Sequence, residues 1–228
     1  MLQTQLRQNR KLYIPMVYIY TLKVYTMLTN NESAVLRFLM VSLEQHSINE
    51  IAKECKLSPN GAYKILKKLE KLEIIKVENI ANIKSYTLNF YNEITPTYLQ
   101  LALVDGRIKL PKIKIRLEDF ISFKGVCDAV VIFGSYLTSK EPRDLDVLFV
   151  FTRDKFKDYK QGVETIKNNI KQKKIIPYPI HDVILTPEDM ATNIKTKNKV
   201  IQEIIRKGVV LWGQKTIAES VRNAHTKP

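Results

Sequence analysis

The chain is short of acidic residues, glycine, cysteine and uninterrupted apolar sequence. Its 228 residues carry 23 Asp and Glu against 37 Lys and Arg, a formal net charge of +14. Such an imbalance points to a polyanionic partner, with nucleic acid ahead of a membrane surface. Only seven glycines occur, and 45% of residues are hydrophobic and 26% charged, which excludes a largely disordered chain. The two cysteines, Cys55 and Cys127, match no metal or redox spacing and read as small core residues in a reducing compartment. The longest apolar run, Leu12 to Leu22, contains Pro15 and falls short of the ~20 residues of a membrane span. No charged-then-apolar leader with a small-residue cleavage site precedes it. The expected location is cytoplasmic, with no membrane partner.

The length allows one large or two small domains, and the pattern favours two. Residues 1 to 11 are polar and basic. Leu12 to Leu28 is rich in Tyr, Val, Ile and Thr, which favours extended structure, either a dimer-forming strand or an edge covering the first domain. Asn31 is positioned to cap an apolar helix over Glu32 to Leu43. Ser47 and Glu50 have capping-box spacing, and Ser58-Pro59 supplies a cap and a first-turn proline for a helix to about Lys71. On that helix Ala62, Ile65, Leu66, Leu69 and Leu72 form an apolar stripe, with Asn60, Lys64, Lys67, Lys68 and Lys71 opposite. A strand at Ile74 to Val77, a polar hinge and a return strand at Lys84 to Asn89 complete the order of a winged helix-turn-helix.

Thr95-Pro96 opens a short helix, and Arg107 to Arg116 alternates basic and apolar residues around Pro111. Residues 95–116 therefore read as a connector between a first domain (1–94) and a second (117–228). The second alternates strands and helices. The strands fall at Val130 to Phe133, Val147 to Phe151, Ile180 to Leu185 and Val209 to Trp212. A basic helix is expected over Asp154 to Lys174, and further helices after Thr186-Pro187 and over Val200 to Arg206, the latter stopped by Gly208. The fold class expected is α+β, a winged helix-turn-helix followed by a small mixed-sheet domain.

The stretch VVIFGSYLTSKEPRDLDVLFVF, Val130 to Phe151, holds the clearest chemistry. Gly134-Ser135 at a strand-to-helix turn offers backbone N–H groups to a phosphate, and glycine allows a close approach. Asp144 and Asp146, two apart, share one face of a strand, where carboxylates need a positive partner. Asp182 stands on another apolar strand and can complete a three-oxygen site for hard cations. His181 alternates to the face opposite Asp182 and reads as structural, and His46 and His225 are scattered.

Gly134-Ser135, a short spacer and Asp144-x-Asp146 before an apolar strand resemble the signature of the DNA polymerase β-type nucleotidyltransferase superfamily, in particular its minimal nucleotidyltransferase branch. The similarity spans about Ile115 to Gly213. It implies that Asp144, Asp146 and Asp182 are catalytic and hold two Mg²⁺ ions, and that Gly134 and Ser135 hold the triphosphate of a nucleoside triphosphate such as ATP. A nucleoside monophosphate would then pass to an acceptor hydroxyl on nucleic acid, a small molecule or a protein. Where many minimal members carry Gly and a basic residue, this chain has Ser139-Lys140, which leaves Lys140 or Arg143 to supply the positive charge. Residues 30 to 90 resemble winged-helix DNA-binding domains of the MarR/ArsR type. That resemblance implies a homodimer with Ser58, Asn60, Tyr63, Lys64, Lys67 and Lys68 facing DNA and Lys84 on the wing. The other reading is a DNA-binding regulator with a non-catalytic nucleotide sensor, or one half of a toxin-antitoxin or defence pair.

Overall fold

The computed structural model describes residues 28–80, 82–152 and 178–226, together with Glu164 and Asn168. The extended segment expected over Leu12 to Leu28 and the basic helix over Asp154 to Lys174 fall almost wholly outside the described residues. Within them the chain is α+β, with eight α-helices and two small sheets.

Helix α1 (Asn30–Val41) begins two residues earlier than expected. Thr29 takes the cap, accepting from the Glu32 N–H at 3.2 Å while the Glu32 carboxylate accepts from the Thr29 N–H at 2.6 Å. This reciprocal box satisfies two of the orphan donors at a helix start. Strand β1 (His46–Ser47) leads into α2 (Ile48–Glu54), capped by Ser47 and Glu50 as expected. Helix α3 (Pro59–Lys71) follows, with Ser58 as its cap. Strands β2 (Ile75–Ile80) and β3 (Ile83–Leu88) form a hairpin, with Asn82 in the left-handed region at φ 67°. β3 also pairs β1, giving an antiparallel order β1-β3-β2.

The span expected as a connector is mostly helical. Helix α4 (Thr95–Ala102), a 3₁₀ turn (Gly106–Lys109) and helix α5 (Pro111–Phe120) occupy it. Lys112 to Arg116 alternates by composition, yet Pro111 fits the first helical turn. Ile113, Arg116 and Phe120 are buried while Ile115 is exposed, the three-to-four spacing of a helix.

A mixed sheet follows, of β4 (Ala129–Phe133), β5 (Leu145–Val150), β6 (Ile180–Leu185) and β7 (Val209–Trp212), in the order β6-β5-β4-β7. β5 runs parallel to β6, and β4 runs antiparallel to both β5 and β7. Helices α6 (Pro187–Lys195) and α7 (Lys199–Lys207) connect β6 to β7, and α8 (Gln214–His225) closes the chain. α8 was not anticipated because Gly213 precedes it with no side-chain cap, so the usual start signal is missing.

The two faces of this sheet belong to different cores. Val130, Ile132, Leu145, Val147 and Phe149 pack with Ile113 and Phe120 of α5. On the other face Ala129, Val131, Leu148, Val150 and Val210 join α6, α7 and α8 in a cluster that continues through α4 and α1 to Leu66, Leu69 and Tyr86. Apolar packing is thus unbroken across the boundary expected near residue 94.

Arg37 of α1 fastens this junction. It is 5% exposed and donates to the carbonyls of Ala102 (Nε, 2.7 Å), Leu103 (Nη2, 3.1 Å) and Gly208 (Nη1, 2.8 Å). These are orphan acceptors at the C-terminal ends of α4 and α7, which favour a cation. Asp105 lies 3.7 Å away. Burial lowers the Arg37 pKa to about 10, so it remains charged at neutral pH. At Gly208 a Cβ would collide with the Ile204 carbonyl and Val131, so glycine is required there by crowding.

Candidate functional site

The end of β4 and the start of β5 form a corner. Phe133 pairs with Asp146, and the chain turns at Gly134, whose φ of 69° lies in the left-handed region that glycine tolerates best. A Cβ on Gly134 would fall on Asp146 Oδ2, so the missing side chain makes room for this carboxylate. Ser135 Oγ donates to Asp144 Oδ1 at 3.3 Å. The helix expected after this turn is a single 3₁₀ turn (Gly134–Leu137).

Strand register selects the third partner. β5 and β6 align Asp146 with His181 and Val147 with Asp182. Residues level with one another on adjacent strands share a face, so His181 joins Asp146, and Asp182 shares the face of the fully buried Val147. His181 Nδ1 lies 3.4 Å from Asp144 Oδ2 and 3.9 Å from Asp146 Oδ1. One ligand atom from each of Asp144, Asp146 and His181 falls within 4.8 Å of the others. The expectation is corrected on both residues: Asp182 is not brought to the acid pair, and His181 is not merely structural by position. Alternation separated the two residues correctly, but it could not say which faced Asp146. Burial, reinforced by the Asp144 charge and opposed by His181, raises the Asp146 pKa above the usual carboxylate value.

Beside this corner lies a groove of about 600 Å³. Phe133, Gly134, Ser135, Leu137 and Thr138 line one side, and Arg107, Glu203, Arg206 and Lys207 the other. Lys140 and Arg143 are exposed and are not among the residues that line it. Arg107 binds Asp105 at 2.6 Å, Lys207 binds Glu203 at 3.2 Å and Arg206 binds the Glu54 carboxylate at 2.9 Å. Arg206 also donates to the Glu54 carbonyl at 2.9 Å and lies over the Phe38 ring at 5.3 Å. The same side chain therefore borders the groove and holds the end of α2. The sequence signal for Arg206 and Lys207 was their place in the last turn before Gly208, but nothing local tied them to Gly134.

A separate cleft of about 570 Å³ runs between the start of α2, the start of α3 and the hairpin tip. Asn60, Tyr63 and Lys84, all expected to face DNA, line it with Asn82 and Ile83. Lys64 and Lys67 are exposed on α3, Lys67 being paired with Glu70 at 3.0 Å. Ser58 Oγ accepts from the Gly61 N–H at 3.1 Å, so its role is as a cap. Lys68 departs from the expectation. It is half-buried and binds Glu32 Oε1 of α1 at 2.7 Å, an internal contact drawn by a carboxylate that is itself only 7% exposed.

No family model, curated protein sequence or solved structure matches the chain. Among the described residues no helix is long and apolar enough to cross a membrane.

Proposed function

We propose that the chain is a divalent-metal-dependent nucleotidyltransferase carrying a winged-helix DNA-binding unit. The observation that carries the reading is the corner itself. Two carboxylates from one strand end meet a Gly-Ser turn with its left-handed glycine, and a basic groove opens beside them. The donor set suits a cation, since one ligand atom from each of the three side chains lies within 4.8 Å of the others. Asp144, Asp146 and His181 would hold it. A bound divalent ion supplies charge withdrawal from the phosphates of a nucleoside triphosphate, ATP being the substrate expected. Gly134 leaves the backbone open to a phosphate, and Ser135 stands ready to donate to it. Arg107, Arg206 and Lys207 outnumber Glu203, the one acid lining the groove, and would exchange their carboxylate partners for a polyphosphate. The acceptor would be a hydroxyl on nucleic acid or protein.

For the first unit, the order helix, helix, helix, hairpin and the shared cleft of Asn60, Tyr63 and Lys84 support insertion of α3 into a major groove with the hairpin as wing. Lys64, Lys67 and Lys84 then meet phosphates, and affinity falls as salt rises.

The decisive assay is transfer of label from nucleoside triphosphates to candidate acceptors with Mg²⁺ or Mn²⁺. Transfer that disappears in Asp144→Ala supports the reading, and transfer unchanged in that variant removes it. A second reading is a DNA-binding regulator with a non-catalytic nucleotide sensor. It is favoured by one observation, the placement of Asp182 on the face away from Asp146, which leaves two carboxylates where three were expected. That reading predicts nucleotide binding without turnover, with DNA affinity altered by ATP. An ATP-insensitive DNA affinity would count against it.

A further inference from the structure

We propose that Asp144, Asp146 and His181 form a mixed carboxylate–imidazole site that takes Zn²⁺ or Mn²⁺ in preference to Mg²⁺. The inference rests on the location of the metal site in the reading above, but not on turnover. Each carboxylate turns one oxygen to the imidazole. Asp144 Oδ1 accepts from Ser135, and Oδ2 lies 3.4 Å from His181 Nδ1. Asp146 Oδ2 packs over Gly134, and Oδ1 lies 3.9 Å from the same nitrogen. Ser135 and Gly134 thus act as the supporting shell that orients metal ligands.

The spacing and the donor types both disfavour Mg²⁺. Ligand atoms about 2.0–2.2 Å from one ion stand roughly 3.3–3.6 Å apart in a tetrahedral site. Adjacent oxygens around octahedral Mg²⁺ stand only about 3 Å apart. The separations of 3.4 and 3.9 Å lie nearer the first arrangement, which favours Zn²⁺, whereas octahedral Mn²⁺ is favoured over Mg²⁺ by the nitrogen donor alone. An imidazole nitrogen adds little for Mg²⁺, which prefers oxygen and keeps its water, whereas nitrogen strengthens binding along the first-row series from Mn²⁺ to Zn²⁺. Three protein ligands with the remaining position open is also the pattern of a reactive zinc site. Had register brought Asp182 to this face in place of His181, the set would be all oxygen and the nitrogen donor that favours Zn²⁺ would be lost.

The test is calorimetric titration of the full chain with Zn²⁺, Mn²⁺ and Mg²⁺ separately, without nucleotide. The expected order of affinity is Zn²⁺, Mn²⁺, then Mg²⁺, with Mg²⁺ weaker than Zn²⁺ by about 100-fold or more. His181→Ala should weaken Zn²⁺ and Mn²⁺ by about tenfold or more while changing Mg²⁺ by less than about threefold. His181 is largely exposed, and unfolding midpoints confirm that the variant folds. Asp182→Asn should leave all three affinities unchanged. Mg²⁺ binding as tight as Mn²⁺, or Zn²⁺ affinity untouched by His181→Ala, overturns the inference while leaving the nucleotidyltransferase reading in place. If Asp146→Asn, a change of nearly equal size, leaves every metal affinity intact, the site is wrong and both fall.

Discussion

The α3 face and the corner at the start of β5 are assembled in opposite ways. On α3 the charged residues are successive positions of one amphipathic helix, held by an apolar stripe beneath them, and Lys64 and Lys67 stand exposed whatever surrounds them. At the corner one short stretch is completed by a distant residue. Asp144 and Asp146 come from one strand end, His181 from a parallel strand and Gly134 from the turn that follows an antiparallel one. A one-residue slip between β5 and β6 would exchange His181 for Asp182 and change the donor set. The helical face is therefore tolerant and electrostatic, and the corner is exacting and geometric.

The two regions nevertheless rest on one core, and the largest effect should come from cutting what joins them. Arg37→Met leaves three helix-end carbonyls without their donor, while Asp105 keeps Arg107; each buried carbonyl left unsatisfied costs about 1–3 kcal/mol. Urea unfolding should show one cooperative transition shifted as a whole. Two separate transitions in the native chain would mean that the regions are independent. Next in size is Gly134→Ala. The added Cβ displaces the Asp146 carboxylate, and the left-handed backbone adds about 1–2 kcal/mol of strain. Metal affinity should fall by about tenfold or more, while DNA binding through α3 should hold, as electrophoretic mobility shifts would reveal.

The lysines offer a finer division within the first region. Lys64→Ala with Lys67→Ala should lower the slope of log affinity against log salt by about 0.9 for each phosphate that is no longer neutralised. Lys68→Ala should instead leave the slope alone and lower stability, because Glu32 of α1 is left buried without its cation. A lowered slope in Lys68→Ala would return that residue to the DNA-facing set.

The smallest effect concerns acid. His225 donates from Nε2 to the Met40 carbonyl at 2.9 Å, with its ring centroid 5.2 Å from that of Phe90. Burial holds its pKa below the ordinary 6.5, although the Met40 bond acts the other way. The native state thus binds this proton less readily than the unfolded chain, so its stability is highest above pH 6.5 and declines as the pH falls toward the depressed value. Unfolding followed from about pH 7.5 to about pH 5 should show a shallower decline in His225→Gln than in the native chain.

How far the sequence was legible follows the same division. Caps with a side-chain oxygen announced α2, α3 and α6, and strands β6 and β7 end where their apolar runs end. Local composition misled where helix and strand periods overlap, as in Lys112 to Arg116 of α5, and was silent where α8 starts from an uncapped Gly213. Asp144, Asp146, Gly134 and Ser135 could be read as a group because they lie within 13 residues of one another. His181 and Arg206 could not. Each reaches its place through pairings that no short window contains, His181 by strand register and Arg206 by the packing of α7 against α1.

The most direct measurement is the anomalous scattering of Mn²⁺ in crystals soaked with the ion and a non-hydrolysable ATP analogue. The prediction is a peak between Asp144, Asp146 and His181, with phosphate oxygens reaching Gly134 and Ser135. A peak on Asp182, or ordered nucleotide with no metal at the Asp144–Asp146 pair, would contradict the site.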